Sequence, residues 1–268
     1  MNEIEVAFLE NSAEKWFSYA TERKDAKTNL FCFPHAGAGP GVYALWGRIF
    51  SSDLSFYPVH YPLRERRKME SLPDSIQELA YSLARDNKKL FVDKPFALYG
   101  HCMGAIIAYE VAKAVEELYG VEPVLTIASS SAPPNCTLEQ QIDNTMDIKQ
   151  LAKFFADMHY IDAALIGDEM YVKYFIPVLK ADYLLQQKYT NARFKRLDSP
   201  ILVLYGENDT QLEMEKLVKW ESFTSESVSY EAISGGHFFI NKDNMSDIIQ
   251  MLEKRILKRN GGYGNQNE

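Results

Sequence analysis

The apolar positions of this chain fall into two recurring patterns. Short runs rich in β-branched and aromatic residues stop at glycine or proline, and stretches with an apolar residue every three or four positions follow them. Asn29-Leu30-Phe31-Cys32-Phe33 is apolar without alternation, as in a strand covered on both faces, and it ends at Pro34 and the loop Gly37-Ala38-Gly39-Pro40-Gly41. The runs Leu54 to His60, Phe96 to Tyr99, Val124 to Ala128 and Ile201 to Tyr205 read the same way, and Ser227 to Ile233 alternates loosely. Asp74 to Leu90 places Ile76, Leu79, Ala80, Leu83 and Ala84 at helical spacing behind a candidate cap at Asp74. Met103 to Tyr119 reads as a helix closed by Gly120. The last helix is expected over about 245–258, with a frayed tail over 259–268.

Strands separated by helices predict an α/β fold, with a mostly parallel central sheet flanked by helices. One stretch breaks the rhythm. Roughly seventy residues without a strand lie between Ala128 and Ile201, and they hold helical material at Ile148 to Met158 and Met170 to Leu185. A structureless loop of that length does not fit a compact domain. A helical insertion over one end of the sheet, about 130–198, does, and functional lids are commonly of this kind. A single domain is therefore expected, with its core at about 16–129 and 199–258. No period of 20–50 residues recurs, which excludes solenoids and propellers.

Composition narrows the classes of function. The chain has 268 residues, 46% hydrophobic and 25% charged, as ordinary globular proteins do. Its 29 Lys and Arg against 37 Asp and Glu give a net charge of −8, without a clustered basic face for nucleic acid or anionic membrane. No apolar run approaches the ~20 residues of a membrane helix. The start, Met1 to Glu5, is acidic where a signal peptide would be basic. Three scattered cysteines, Cys32, Cys102 and Cys136, without a CxxC pair, argue against a disulfide framework or structural zinc and point to a reducing cytoplasm. They leave open whether one thiol does chemistry.

The strongest local signal is Gly100-His101-Cys102-Met103-Gly104, between a strand and a helix. G-x-nucleophile-x-G in that setting resembles the nucleophile elbow of α/β-hydrolases. A sharp turn lifts the central side chain above the sheet, and the helix N-terminus favours thiolate there. A nucleophile needs a base and a group to orient it. Asp209, three residues past the strand-ending Gly206, is the candidate acid, with Glu207 its local rival. His237, after Gly235-Gly236, is the candidate base, whereas His35 and His101 read as structural, His60 ends a strand, and His159 lies in the insertion as a candidate to line the pocket. The order Cys102, Asp209, His237 is the order of this fold. For the oxyanion, the Met103 N–H follows the nucleophile and the Ala36 N–H lies in the loop after the first strand. That loop lacks the GxGxxG spacing of a dinucleotide site. No metal or cofactor site is expected.

Six segments in order, CFPHAGAG (32–39), HYPLRER (60–66), GHCMG (100–104), LKADY (179–183), LYGENDT (204–210) and GGHFF (235–239), resemble the stand-alone type II thioesterases of nonribosomal peptide and polyketide synthesis. The resemblance spans about 16–258. It implies an α/β-hydrolase fold with a helical lid, and a triad at Cys102, Asp209 and His237. It also implies an acyl or aminoacyl substrate on the phosphopantetheine arm of an acyl or peptidyl carrier protein; the enzyme itself is expected to be a monomer with no cofactor. Cysteine stands where the family has serine. Serine would drop the acyl group to an oxygen ester, whereas cysteine keeps it a thioester, so an acyltransferase that moves the group to another thiol or amine is the alternative to hydrolysis. The densest cationic run, Arg64, Arg66, Arg67 and Lys68, is either a docking patch for the carrier or a solvated loop with structural arginines. Phe154, Phe155, Tyr160, Tyr174 and Phe175 of the insertion either line an acyl pocket or pack the lid, and packing is expected for most.

Overall fold

The computed structural model describes residues 14–136, 138 and 140–263; Met1 to Glu5 and residues 264–268 lie outside them. The apolar runs form β1 (Thr28–Phe33), β2 (Leu54–Pro58), β3 (Phe96–His101), β4 (Leu125–Ser129), β5 (Ile201–Gly206) and β6 (Val228–Ile233). They lie in the order β2-β1-β3-β4-β5-β6, and every adjacent pair is parallel. The absence of alternation has a direct cause. Phe31, Phe33, Leu98 and Val203 pack into the core on one face, while Leu30, Cys32, Tyr99 and Leu204 pack into a second core on the other. Each strand thus needs apolar residues on both sides.

The first face is covered by α1 (Ile76–Asp86) and α3 (Met103–Tyr119), and the second by α7 (Met245–Tyr263), through Ile249, Leu252 and Ile256. The helix expected from Asp74 to Leu90 differs in two respects. Its cap is Ser75, whose hydroxyl accepts from the Glu78 N–H. It also ends at Asp86, and a short α2 (Lys88–Val92) follows. Asn87 makes the break: its side-chain amide donates to the Leu83 carbonyl at 2.8 Å, competing with the helical ladder. The last helix runs to Tyr263 rather than Lys258, so the tail expected from residue 259 is helical over its first five residues. Asn260 anchors it, donating to Thr28 Oγ1 and the Lys27 carbonyl at the start of β1.

The segment between β4 and β5 contributes α4 (Ile148–Asp157) and α5 (Glu169–Gln187). Leu151, Ala152 and Phe155 of α4 are buried, as are Ile176, Leu179 and Tyr183 of α5. Short α6 (Met214–Leu217) follows β5. Among the described residues, no helix is long and apolar enough to cross a membrane. Because every strand is parallel, the ends of β1, β3, β4, β5 and β6 stop side by side. Phe33 pairs with Gly100, His101 with Ser129, Ser129 with Leu204, and Gly206 with Ile233. The loops at 34–39, 102, 207–210 and 234–238 therefore open on one edge of the sheet, where ligands of such folds bind.

Candidate active site

Between the end of β3 at His101 and the start of α3 at Met103, Cys102 alone makes the turn. Its φ of 54° and ψ of −120° form a combination that residues with a side chain rarely adopt. The turn is held by the Cys102 N–H, which donates to the Ser129 carbonyl at 2.8 Å. It also depends on close backbone approach. A Cβ on Gly100 would run into the Gly104 backbone, and one on Gly104 into the Phe33 carbonyl. The flanking glycines let helix, strand and first loop close around the thiol, which is itself buried.

Asp209 and His237 meet at that thiol. His237 Nδ1 donates to Asp209 Oδ2 at 2.8 Å, and Asp209 Oδ1 accepts from the Gln211 N–H at 2.9 Å. A carboxylate only accepts, so Nδ1 carries the hydrogen and Nε2 is left without a hydrogen-bond partner among the described residues. Burial by itself lowers the pKa of His237. The Asp209 carboxylate, followed by the neighbouring Cys102 sulfur, more than reverses this and raises it to about 10. Glu207, the local rival, is exposed; its N–H serves to tie the loop to the Ile233 carbonyl.

Two further imidazoles sit beside His237. The ring of His101 lies 5.5 Å from that of His237 and 5.9 Å from that of His35. Burial holds His35 down to about 4 and His101 well below the ordinary imidazole value. They stay neutral, bonded to the Ala36 carbonyl and the Ser129 hydroxyl respectively.

The Ala36 N–H has no hydrogen-bond partner among the described residues. Met103 is the first residue of α3, so its N–H lies ahead of the intrahelical ladder. Both expected oxyanion donors are therefore free in the backbone. A cavity of about 330 Å³ opens from Cys102 and His237 beneath the insertion, lined also by Ser130, Tyr160, Tyr183 and Gln186.

Of the aromatic residues singled out in the insertion, Tyr160 lines this cavity, Phe155 is buried in the core and Tyr174 is exposed. Cys32 is a core residue, while Cys136, with no catalytic setting in the sequence, lines the cavity. The cationic run divides. Arg64 and Arg67 are buried, and Arg66 and Lys68 are exposed. Arg64 grips Asp182 of α5 through both terminal nitrogens, at 2.6 and 2.8 Å, so it is a structural residue and not a docking one. Ser130 and Asp182 were not singled out from sequence. Each is an isolated polar residue, and LKADY as a segment was the only signal available for Asp182. Among the described residues, Glu116, Glu122 and Asp198 have carboxylates within 4.8 Å of one another, as a metal site would need. Lys195 pairs with Glu116, and none of the three lines the cavity.

Parallel strands that deliver a cysteine turn, an acid and a histidine in this chain order define an α/β-hydrolase. Within that class the chain belongs to the thioesterase-domain family, whose model matches residues 28–256, and it is a thioester hydrolase. Gramicidin S biosynthesis protein GrsT of Aneurinibacillus migulanus is 25% identical over 246 residues, covering 92% of this chain and 95% of that protein. Thioesterase PikA5 of Streptomyces venezuelae is 24% identical over 246 residues, covering 92% and 87%. Among solved structures, the RedJ thioesterase from the prodiginine biosynthetic pathway in Streptomyces coelicolor superposes with a TM-score of 0.78 at 26% identity, covering 88% of this chain and 94% of that one.

Proposed function

We propose that this enzyme is a type II thioesterase of nonribosomal peptide or polyketide synthesis, acting as a cytoplasmic monomer on acyl or aminoacyl groups borne by the phosphopantetheine arm of a carrier protein. The names of its relatives support the pathway, since GrsT belongs to gramicidin S biosynthesis and RedJ to the prodiginine pathway. The single observation that carries the mechanism is a strained Cys102 sharing one cavity with a His237 whose Nδ1 is held by Asp209. The phosphopantetheine arrives with the partner, so the chain needs no cofactor of its own.

His237 Nε2 takes the Cys102 thiol proton as Sγ attacks the thioester carbonyl carbon. The oxygen takes up negative charge between the Ala36 and Met103 N–H groups, donors that need no rearrangement as charge develops. When the carbon–sulfur bond to pantetheine breaks, His237 Nε2 gives its proton to the departing thiolate. The neutral imidazole then takes a proton from water as the water oxygen attacks the Cys102 thioester, and the returning proton leaves on the Cys102 thiol. Asp209 stays ionised and holds the ring throughout. The insertion, as a lid, shields the intermediate from bulk solvent.

A cysteine intermediate also favours the second reading, transfer to another thiol or amine, because loading and unloading are then thioester exchange. One assay separates the two. A carrier bearing a labelled acyl thioester is incubated with the enzyme, with and without an empty second carrier. Free acid in both tubes is expected; label on the second carrier would establish transfer, and label that never leaves the first would refute both readings.

A further inference from the structure

The loop that presents the Ala36 N–H is fastened at several backbone groups on either side of it. The Pro34 carbonyl accepts from the Tyr61 hydroxyl at 3.1 Å, the His35 carbonyl from the Ala38 N–H at 3.1 Å, and the Ala36 carbonyl from His35 Nδ1 at 3.0 Å. The Gly37 N–H donates to Asp182 Oδ2 at 2.7 Å, and the Ala38 carbonyl accepts from Arg64 Nη1 at 2.7 Å. Asp182 is fully buried and comes from α5, in the insertion, 145 residues further along the chain. Three donors converge on its carboxylate: the Gly37 N–H and both terminal nitrogens of Arg64. Helix α5 also covers the loop sterically. Gly37 has a φ of +79°, and a Cβ there would lie 2.9 Å from Phe175 Cζ.

We propose that Asp182, neutralised by Arg64, is the positioning residue of the oxyanion loop, so that a helix of the insertion sets the aim of the Ala36 N–H. This deepens, and rests on, the reading of Cys102 as nucleophile and the Ala36 N–H as oxyanion donor. The Ala36–Gly37 peptide is pinned at its N–H by Asp182 and at its carbonyl by His35, and the plane before it must follow. Arg64 is the natural counter-charge. A lone carboxylate this close to a developing oxyanion would oppose it, whereas the bidentate pair keeps the acceptor and cancels the charge. The second half of α5, from Pro177 onward, accordingly belongs to the catalytic core.

Two reactions of the same thiol test this. Acylation of Cys102 by acetyl-pantetheine develops an oxyanion; alkylation by iodoacetamide does not. In Asp182→Asn an amide nitrogen would face donors at either oxygen position, so the loop loses its anchor. The acylation rate at saturating acetyl-pantetheine should fall tenfold or more, with iodoacetamide alkylation within about twofold of the unmutated enzyme. Arg64→Lys, which keeps the charge but not the fork, should show the same split to a smaller degree, and it serves if Asp182→Asn does not fold. Equal loss of both reactions, or loss of neither, would overturn the positioning role. An unmutated enzyme whose Cys102 takes neither adduct would instead fail the nucleophile reading itself, and this inference with it.

Discussion

Three imidazoles meet above the end of the sheet, and only His237 is given a carboxylate. Asp209 raises its pKa, whereas burial leaves His35 and His101 neutral. Which imidazole is raised is thus decided by its partner and not by its residue type. The same dependence on neighbours governs Gly104. In a helix, alanine is favoured over glycine by about 1 kcal/mol, so Gly104→Ala would be expected to stabilise the protein. Here the added Cβ meets the backbone carbonyls of Phe33 and Pro34. Gly104→Ala should therefore destabilise by about 1–3 kcal/mol and depress activity further, because it displaces the strand end that leads to Ala36. Urea unfolding of the variant decides the sign. Cys102, Asp209 and His237 were legible because each stands in a short motif tied to a strand end. Asp182 was not, and Tyr160 was legible only as one of five insertion aromatics with two possible roles, since their meaning depends on what a distant segment places beside them.

Strands and helices followed the apolar pattern closely wherever burial dictated it. They departed from it where a polar side chain intervened, at Asn87, which splits one helix, and at Asn260, which extends another. The insertion helix α4 is held at its start by a capping box, in which Asp147 accepts from the Lys149 and Gln150 N–H groups and Gln150 reaches back to the Asp147 N–H. Asp147→Ala should weaken the first turn of α4 by about 1 kcal/mol. The effect should be confined to the insertion, as faster amide exchange over residues 148–157 with β3 and α3 unchanged. Equal loss of protection in the sheet would show that insertion and core unfold as one unit.

The histidines together shape the pH dependence of stability. His35 and His60 are held down to about 4 and His101 is also lowered, in each case chiefly by burial. They remain neutral when folded, while in the unfolded chain they gain protons below about 6.5. Their contribution is therefore lost as pH falls from 6.5 towards 4. His237, raised to about 10, does the opposite: its contribution is complete below 6.5 and is lost as pH rises through about 10. The melting temperature should peak near pH 6.5 and decline on both sides. His237→Gln should flatten the alkaline decline and leave the acid one. An alkaline decline of unchanged slope in that variant would show that the folded protein holds no extra proton on His237.

The α/β class, the number and order of strands, the helical insertion and the chain order of Cys102, Asp209 and His237 are all properties of local pattern. Apolar periodicity and glycine-bounded turns act over ten residues or fewer, so they are written where they act. Long-range geometry decided the rest. Parallel pairing brought four loops to one edge, the placing of one carboxylate at His237 separated three chemically identical buried imidazoles, and the docking of α5 set Asp182 and Arg64 beneath the Ala36 loop. Those outcomes depend on which surfaces are buried against one another, a quantity that no stretch of sequence contains until the chain has folded.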